Sequence, residues 1–264
     1  MSRVLITGCS TGIGRATAVE LTKRGHDVVA TARRPETIGD LDVAAKLALD
    51  VDDDASVRDA VAAAGDVDVL VNNAGFGVSG PVEQVTLDHG RSIMETNFFG
   101  AVRMLQAVLP QMRERERGVI VNVTSLAGRV APPLGGFYSA SKFALEGLSE
   151  ALRYEVGHFG IRVRLVEPGI FATAFQGKEY GFEITPPYDE LEREWEKVRE
   201  VLTGGQDPSG PEPVAAVIAD AVESEEPRLR WPVGADAEMV LTVRSTSTDE
   251  EFEAAMRGTL NLTW

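Results

Sequence analysis

The chain has 264 residues, of which 44% are hydrophobic, and this is enough to form one substantial core in a single domain. Its formal net charge of -15, from 26 basic and 41 acidic residues, disfavours a nucleic-acid partner, because binding to phosphates requires a positive surface. The one cysteine, Cys9, excludes an internal disulfide, and the histidines have no cysteines at zinc-ligand spacing, so we expect no metal site.

The beginning of the chain carries no recognisable targeting segment. A short apolar run at residues 4–6 leads directly to Gly8, which leaves no room for a charged leader followed by a long apolar core. Elsewhere no stretch reaches the roughly 18 uninterrupted apolar residues of a candidate membrane span. We therefore expect a cytoplasmic protein without a membrane partner.

A glycine-rich turn follows the first predicted strand. The apolar run at residues 4–6 is too short for a helix, and a helical pattern at residues 15–24 comes after the turn. Glycines let the backbone approach a pyrophosphate, and the helix start behind them offers unpaired N–H groups and a partial positive charge. The turn therefore predicts the start of a dinucleotide-binding unit, although its glycine spacing differs from G-x-G-x-x-G and a plain tight turn is the alternative. Its residues are Thr7, Gly8, Cys9, Ser10, Thr11, Gly12, Ile13 and Gly14.

The second predicted strand, at residues 28–30, indicates which cofactor would bind. In a dinucleotide-binding fold the end of this strand meets the adenosine ribose, where a carboxylate accepts from the 2′-hydroxyl and an arginine pairs with a 2′-phosphate. Here Ala32 is followed by Arg33, and no acid occupies this place. We therefore expect NADP(H) to be preferred over NAD(H); a solvated loop arginine is the alternative.

Two further predicted strands bring polar residues to the same edge of the sheet. The third spans residues 47–51 and the fourth spans residues 67–71. Open α/β sheets bind ligands outside the carboxyl ends of their strands, so we expect the residues at these two ends to lie near the cofactor. They are Asp50, Val51, Asn72, Asn73, Ala74 and Gly75.

A long helical pattern at residues 93–115 contains two residues that disfavour helices. Asn97 and Gly100 are both unfavourable inside a helix by intrinsic propensity. Their presence predicts either a specific role or a frayed segment.

A phenol and an ammonium group follow the fifth predicted strand. This strand, at residues 118–125, is almost continuously apolar, as expected for a strand covered on both faces, and it ends on Ser125. In the next helical pattern, Tyr138 and Lys142 are about one turn apart and share a face. A nearby cation favours the phenolate and so lowers the pKa of a phenol from its usual value of about 10. A surface pair without a role is the alternative.

In the last third of the chain the regular alternation of predicted strands and helices is interrupted. After a sixth strand at residues 161–166, residues 171–213 contain several glycines and prolines around a charged helical pattern at residues 189–202. We interpret residues 171–213 as a substrate lid within a single domain of residues 1–264. A final strand at residues 228–233 and two short helices follow. Six aromatic residues could line an apolar pocket or merely pack the lid: Phe171, Phe175, Tyr180, Phe182, Tyr188 and Trp195.

Taken together, these residues resemble the classical short-chain dehydrogenase/reductase family along essentially the whole chain. The resemblance rests on motifs that occur in the family's order: Thr7-Gly8-x-x-x-Gly12-Ile13-Gly14, Asn72-Asn73-Ala74-Gly75, Asn97, Ser125, Tyr138-x-x-x-Lys142 and Pro168-Gly169-x-x-x-Thr173. It implies an α/β fold, namely a Rossmann-type, doubly wound parallel sheet of about seven strands flanked by helices. It also implies hydride transfer between a nicotinamide cofactor and an alcohol or carbonyl.

The resemblance assigns roles to individual residues. Tyr138 would be the general acid/base, Ser125 would orient the substrate oxygen, and Lys142 would lower the pKa of the phenol and hold the nicotinamide ribose. Asn97 is similar to a residue that anchors a water molecule for proton relay. The strand ends and the resemblance together imply a cofactor site made of Thr7, Gly8, Ser10, Thr11, Gly12, Ile13, Gly14, Arg33, Asp50, Val51, Asn73, Ala74, Gly75, Tyr138, Lys142, Pro168, Gly169, Ile170 and Thr173.

The resemblance also bears on substrate and assembly. Residues 29–33 and 230–234 are similar to those of family members that act on steroids, retinoids and other hydrophobic alcohols or ketones. We therefore expect an NADP(H)-dependent oxidoreductase with a hydrophobic secondary alcohol or ketone as substrate, assembled as a dimer or tetramer. Two alternatives stay open: a cofactor-binding regulator without catalytic activity, and an enzyme that catalyses epimerisation or dehydration on the same scaffold.

Overall fold

The fold is seen in a computed structural model that describes residues 1–173, 184–202 and 208–264. Its centre is one parallel sheet of seven strands in the order β3-β2-β1-β4-β5-β6-β7. The strands are β1 (Arg3–Ile6), β2 (Asp27–Ala32), β3 (Ala45–Ala48), β4 (Val69–Asn72), β5 (Gly118–Val123), β6 (Ile161–Pro168) and β7 (Arg230–Val233). This order confirms the predicted doubly wound sheet, and it reverses direction between β1 and β4, where such folds bind ligands.

Helices cover both faces of the sheet. They are α1 (Gly12–Lys23), α2 (Asp54–Ala64), α3 (Leu87–Met94), α4 (Gly100–Glu114), α5 (Gly136–Gly157), α6 (Asp189–Leu202), α7 (Glu212–Glu223), α8 (Ala235–Thr246) and α9 (Asp249–Leu260). Among the residues described, no helix is long and apolar enough to cross a membrane.

The alternation of side chains along the strands divides the core into two layers. In β1, Val4 and Ile6 pack on the side of α1 and α7, whereas Leu5 packs on the side of α2 and α4. Successive side chains of a strand point to opposite faces, so a strand covered on both sides must be apolar at every position. All six residues of β5 are buried, in agreement with its almost continuously apolar sequence.

The helix predicted at residues 93–115 is interrupted in the structure. α3 ends at Met94, a π-helical turn spans Glu95–Phe99, and α4 begins at Gly100. The wide turn places the Asn97 amide against the backbone of Phe76, where Oδ1 accepts from the N–H at 3.0 Å and Nδ2 donates to the carbonyl at 2.9 Å. A Cβ at position 100 would lie 2.7 Å from Val51 Cγ2, so close packing requires Gly100. Both helix-disfavouring residues therefore have specific contacts.

The third strand begins and ends earlier than the sequence predicts. It covers Ala45–Ala48 rather than residues 47–51, because the residues after it cap α2. The backbone N–H of Asp50 donates to Ser56 Oγ at 2.9 Å, and Asp53 Oδ1 accepts from the N–H of Ser56 at 2.6 Å. Asp50 thus lies just beyond the strand end, on the ligand side of the sheet.

Candidate active site

One cleft runs along the carboxyl edge of the sheet at the reversal between β1 and β4. It has a volume of about 770 Å³. Its lining contains most of the predicted site residues, namely Gly8, Ser10, Thr11, Gly12, Ile13, Arg33, Asp50, Val51, Asn73, Ala74, Gly75, Ser125, Tyr138, Lys142, Pro168, Gly169, Ile170 and Thr173. Three predicted residues, Thr7, Gly14 and Asn97, do not line it and instead support residues that do.

Thr7 and Asn73 join the ends of β1 and β4. The Thr7 Oγ1 accepts from the backbone N–H groups of Asn73 and Ala74, both at 2.9 Å. In return, Asn73 Nδ2 donates to the carbonyls of Thr7 at 2.9 Å and Gly8 at 3.2 Å. These bonds fix the glycine-rich turn relative to the strand end that follows it.

Close packing explains why the turn needs glycine. Gly8 has φ +74°, and a Cβ there would lie 2.9 Å from the Cα of Ala74. A Cβ at Gly14 would overlap Asn73 Nδ2 and the Gly8 carbonyl oxygen. The backbone of the turn is therefore pressed against the strand end and leaves the cleft open above it.

The start of α1 faces this cleft with its N–H groups available. Thr11 occupies the N-cap position, but its side chain forms no capping bond with the described residues, and the first turn carries no acidic side chain. Unpaired N–H groups and the helix dipole together favour an anion. Arg33, at the end of β2, also lines the cleft and is exposed, and it forms no ion pair within the described ranges. This end of the cleft is suited to a phosphorylated ligand.

Ser125, Tyr138 and Lys142 meet where β5 ends and α5 begins. The side chains of Ser125 and Tyr138 are hydrogen-bonded to each other. The Lys142 ammonium donates to the carbonyl of Val123 at 2.9 Å and lies 5.9 Å from the centre of the Tyr138 ring. A hydroxyl, a phenol and an anchored cation are thus within reach of one substrate oxygen.

Burial shifts both titratable groups of this cluster towards their neutral forms. Desolvation raises the pKa of Tyr138 to about 12, and the hydrogen bond between Tyr138 and Ser125 opposes this shift. Desolvation also lowers the pKa of Lys142 to about 8, and the negative charge of Glu146 opposes it. At neutral pH the lysine is therefore mainly charged and the tyrosine holds its proton.

A second, polar cavity of about 10 Å³ lies behind the lysine. Asn72, Asn97 and Lys142 are among its lining residues. Asn97 Nδ2 donates to Ser141 Oγ at 3.1 Å, and Asn72 Oδ1 is buried without a hydrogen-bond partner in the described chain. A cavity of this size has room for about one water molecule, and these groups offer it the polar partners that a buried water needs.

The opposite end of the cleft is largely apolar. Of the six aromatic residues considered for a pocket, Phe171 and Trp195 line the cleft. Tyr188 instead donates to Glu83 at 2.7 Å and faces the ring of Trp264. Phe175, Tyr180 and Phe182 lie outside the described residues.

Several lining residues were not found from the sequence. The apolar wall also includes Phe76, Val78, Pro132, Pro133 and Leu134, and α6 contributes Glu192 and Glu196. The segment between Ser125 and Tyr138 could have been recognised as a wall, because it joins two residues of the same site. Asp236, at the start of α8, accepts from the N–H of Ile170 at 2.7 Å and so holds the turn after β6.

The sequence is similar to those of known dehydrogenases and reductases. A sequence model of the short chain dehydrogenase family matches residues 2–182. The 3-ketodihydrosphingosine reductase of Bacteroides thetaiotaomicron is 41% identical over 238 residues, which cover 88% of this chain and 87% of the relative. Retinol dehydrogenase 8 of Homo sapiens is 45% identical over 188 residues, which cover 66% of this chain and 60% of the relative.

Several solved structures of dehydrogenases and reductases are similar to this chain over most of its length. A short-chain dehydrogenase from Streptomyces avermitilis is 37% identical, with a TM-score of 0.84 and 100% of both chains covered. A short chain dehydrogenase from Burkholderia cenocepacia in complex with NADP is 25% identical, with a TM-score of 0.79 and 100% of this chain and 98% of the other covered. A 3-ketoacyl-(acyl-carrier-protein) reductase from Brucella melitensis, complexed with NADH, is 26% identical, with a TM-score of 0.76 and coverages of 89% and 97%.

Proposed function

Because the chain belongs to the short-chain dehydrogenase family of oxidoreductases, we propose that it transfers hydride between NADP(H) and a hydrophobic secondary alcohol or ketone. The observation that carries this proposal is the cluster of Ser125, Tyr138 and Lys142 in a cleft that also has a phosphate-binding end. A nicotinamide cofactor, when bound, supplies or accepts the hydride. The chain itself must hold the substrate and handle the proton.

The residues at the sheet edge fit such a cofactor. The glycine-rich turn from Gly8 to Gly12 and the start of α1, which has no side-chain cap, suit a pyrophosphate, because backbone N–H groups are available there. Arg33 would hold a 2′-phosphate, Asp50 and Val51 the adenine, and Ile170 and Thr173 the carboxamide. Lys142 would hold the nicotinamide ribose. Arg33 is the basis for proposing NADP(H) over NAD(H).

The proton chemistry follows from the contacts of the cluster. In the reductive direction, negative charge develops on the carbonyl oxygen of the substrate. Ser125 donates a hydrogen bond to that oxygen, and Tyr138 gives it a proton. The Lys142 ammonium stabilises the phenolate that remains, and a water molecule in the polar cavity beside Asn97 would lie next to Lys142, through which a proton can return.

Charge and surface at the far end of the cleft support a substrate that is apolar and not anionic. Phe76, Phe171 and Trp195 offer apolar surface there. Glu192 and Glu196 add negative charge, and within the described residues no lysine or arginine of α6 lines the cleft to balance them. The two relatives are named for 3-ketodihydrosphingosine and retinol, both largely apolar, and neither is an anion. We propose a substrate of this kind, covered by residues 171–213 as a lid.

The experiment that tests the proposed function has two stages. The purified protein is first titrated with NADPH and with NADH, and NADPH oxidation is then followed by absorbance with a panel of apolar ketones and aldehydes. The panel includes a long-chain amino ketone, retinal, and a long-chain keto acid as the anionic control. We expect tight NADPH binding and turnover that is fastest with the non-anionic apolar carbonyls. Binding without turnover on any carbonyl would favour the regulator, and conversion without net cofactor change would favour an epimerase or dehydratase.

A cytoplasmic location and a homo-oligomeric state complete the proposal. The two helical patterns that we expect to pair across a two-fold axis are those at residues 93–115 and 138–158, and each carries an exposed aromatic side chain, Phe99 before α4 and Phe143 on α5. A dimer or tetramer would cover them.

A further inference from the structure

Two carboxylic acids are buried beneath the catalytic cluster, although acids are almost never buried without a partner. Glu146 is 4% exposed and Glu167 is 1% exposed. Glu146 lies on α5, one helical turn after Lys142. Glu167 is the β6 residue before Pro168, whose carbonyl accepts a hydrogen bond from Ser125 Oγ at 3.4 Å. Glu146 is thus a helical turn away from Lys142, and Glu167 is linked to Ser125 through Pro168.

Two arginines satisfy these acids only in part. Arg230 Nε contacts Glu146 Oε2 at 3.1 Å and Glu167 Oε1 at 3.2 Å, and Arg129 Nη1 contacts Glu167 Oε1 at 3.1 Å. Arg230 also pairs with Glu150, which is half exposed. Glu146 Oε1 is buried and has no hydrogen-bond partner among the residues described. Glu146 is therefore the less well compensated of the two.

Glu146 and Lys142 lie one turn apart on α5 and so share a helix face. A Cβ at Gly128 would lie 3.1 Å from Glu146 Cγ and 3.3 Å from the Lys142 carbonyl oxygen, so the turn after Ser125 packs on the helix turn that carries both side chains. The negative charge of Glu146 favours the charged form of Lys142. An acid at this place on the helix can therefore act on the cluster without touching the substrate.

We propose that Glu146, held by the arginine Arg230 that it shares with Glu167, is a positioning residue, which keeps Lys142 protonated and so sets the upper pH limit of proton exchange at Tyr138. The proposal rests on the proposed function, since it concerns the same lysine. Burial raises the pKa of Glu146 to about 7, and burial also raises the pKa of Glu167. As pH rises past neutrality Glu146 becomes an anion, and this anion supports the neighbouring ammonium in the pH range where burial would neutralise it.

The test compares the pH profiles of kcat for Glu146→Gln and Glu150→Gln. Both variants remove one acid from Arg230, but Glu150 is half exposed and lies a turn farther from Lys142. We expect Glu146→Gln to move the alkaline limb of the profile down by about one pH unit, since an opposite charge at close range shifts a pKa by roughly 1–3 units. Glu150→Gln should leave the limb where it is, and Glu146→Asp, which keeps the charge, should restore most of the parent profile.

Two outcomes would overturn the proposal. One is a Glu146→Gln profile that superimposes on the parent, whatever happens to the melting temperature. The other is an equal shift in Glu150→Gln, which would indicate a general charge effect. If no carbonyl substrate is turned over, a ¹³Cε-lysine NMR titration of the parent and of Glu146→Gln gives the answer independently, with Lys142→Arg used for assignment. A titration midpoint of Lys142 that is unchanged by Glu146→Gln would contradict the proposal even then.

Discussion

At the scale of single residues, burial raises the pKa of the Tyr138 phenol and lowers the pKa of the neighbouring Lys142 ammonium. Desolvation keeps the Tyr138 phenol protonated and weakens the charge of the Lys142 ammonium. The spacing of the two residues in the sequence predicts that they share a helix face, but it does not reveal how deeply they are buried. The expected lowering of the Tyr138 pKa by Lys142 therefore stays a prediction, and the opposing effect of burial is a finding of the structure.

Replacing Tyr138 by Phe tests the assigned proton donor. The substitution removes the hydroxyl and little else, so we expect NADPH affinity to change less than about twofold while turnover falls about 10²–10⁴-fold, the usual contribution of general acid catalysis. Tyr154→Phe is the matched control, because Tyr154 lies on the same helix and is largely exposed. Stopped-flow or steady-state NADPH oxidation and cofactor titration measure the two effects. Near-normal turnover in Tyr138→Phe would exclude the role.

Replacing Arg33 by Ala tests the cofactor preference. A hydrogen bond to a charged group contributes about 1.5–3 kcal/mol, so the loss of a contact to a 2′-phosphate should weaken NADPH binding roughly 10- to 100-fold. NADH lacks that phosphate, and its affinity should change little. Arg34→Ala is the control, since Arg34 is adjacent but does not line the cleft. Equal losses of NADPH and NADH affinity in Arg33→Ala would contradict the phosphate assignment.

At the scale of elements, the sequence predicted the order of strands and helices better than their ends. The strands buried along their whole length, β4 and β5, lie where apolar runs precede turn residues, because a parallel strand covered on both faces must be apolar on both faces. The π-helical turn at Glu95–Phe99 was not predicted, and its Asn97 amide bonds to Phe76, which lies on a different segment of the chain. Long-range contacts of this kind leave no local signal beyond an unfavourable helix residue.

The glycine-rich turn lies so close to the end of β4 that we expect a larger side chain in the turn to destabilise the protein. Gly14→Ala would place a Cβ against the Asn73 amide and the Gly8 carbonyl, so we expect a loss of about 1–3 kcal/mol in stability, typical of overpacking, together with loss of NADPH binding. Gly258→Ala in α9 is the matched control, because its Cβ would meet nothing within 4 Å. Thermal unfolding with and without NADPH measures both effects. A Gly14→Ala protein that melts like Gly258→Ala would show that the turn can relax.

At the scale of the whole molecule, exposed aromatic surface predicts self-association. Phe99 is 46% exposed and Phe143 is 44% exposed, on the adjoining helical segments expected to form the interface. We expect the parent to elute as a dimer or tetramer in size-exclusion chromatography with light scattering, and Phe143→Asp to shift it towards the monomer. Val19→Asp, on the opposite face of the sheet, is the control and should leave the assembly unchanged. A monomeric parent would contradict the expected assembly.

The sequence by itself determined the fold class through the order of its family motifs. It also determined the glycine-rich turn and the spacing of Tyr138 and Lys142, because glycine content and helix spacing are local properties of the chain. Only the tertiary structure decided which aromatic side chains face the cleft, that Gly14 supports the glycine-rich turn without lining the cleft, and that Glu146 and Glu167 share Arg230 beneath the catalytic lysine. The physical reason is that burial and charge pairing depend on segments far apart in sequence. Their energies are set only when the sheet brings α5, β6 and β7 together.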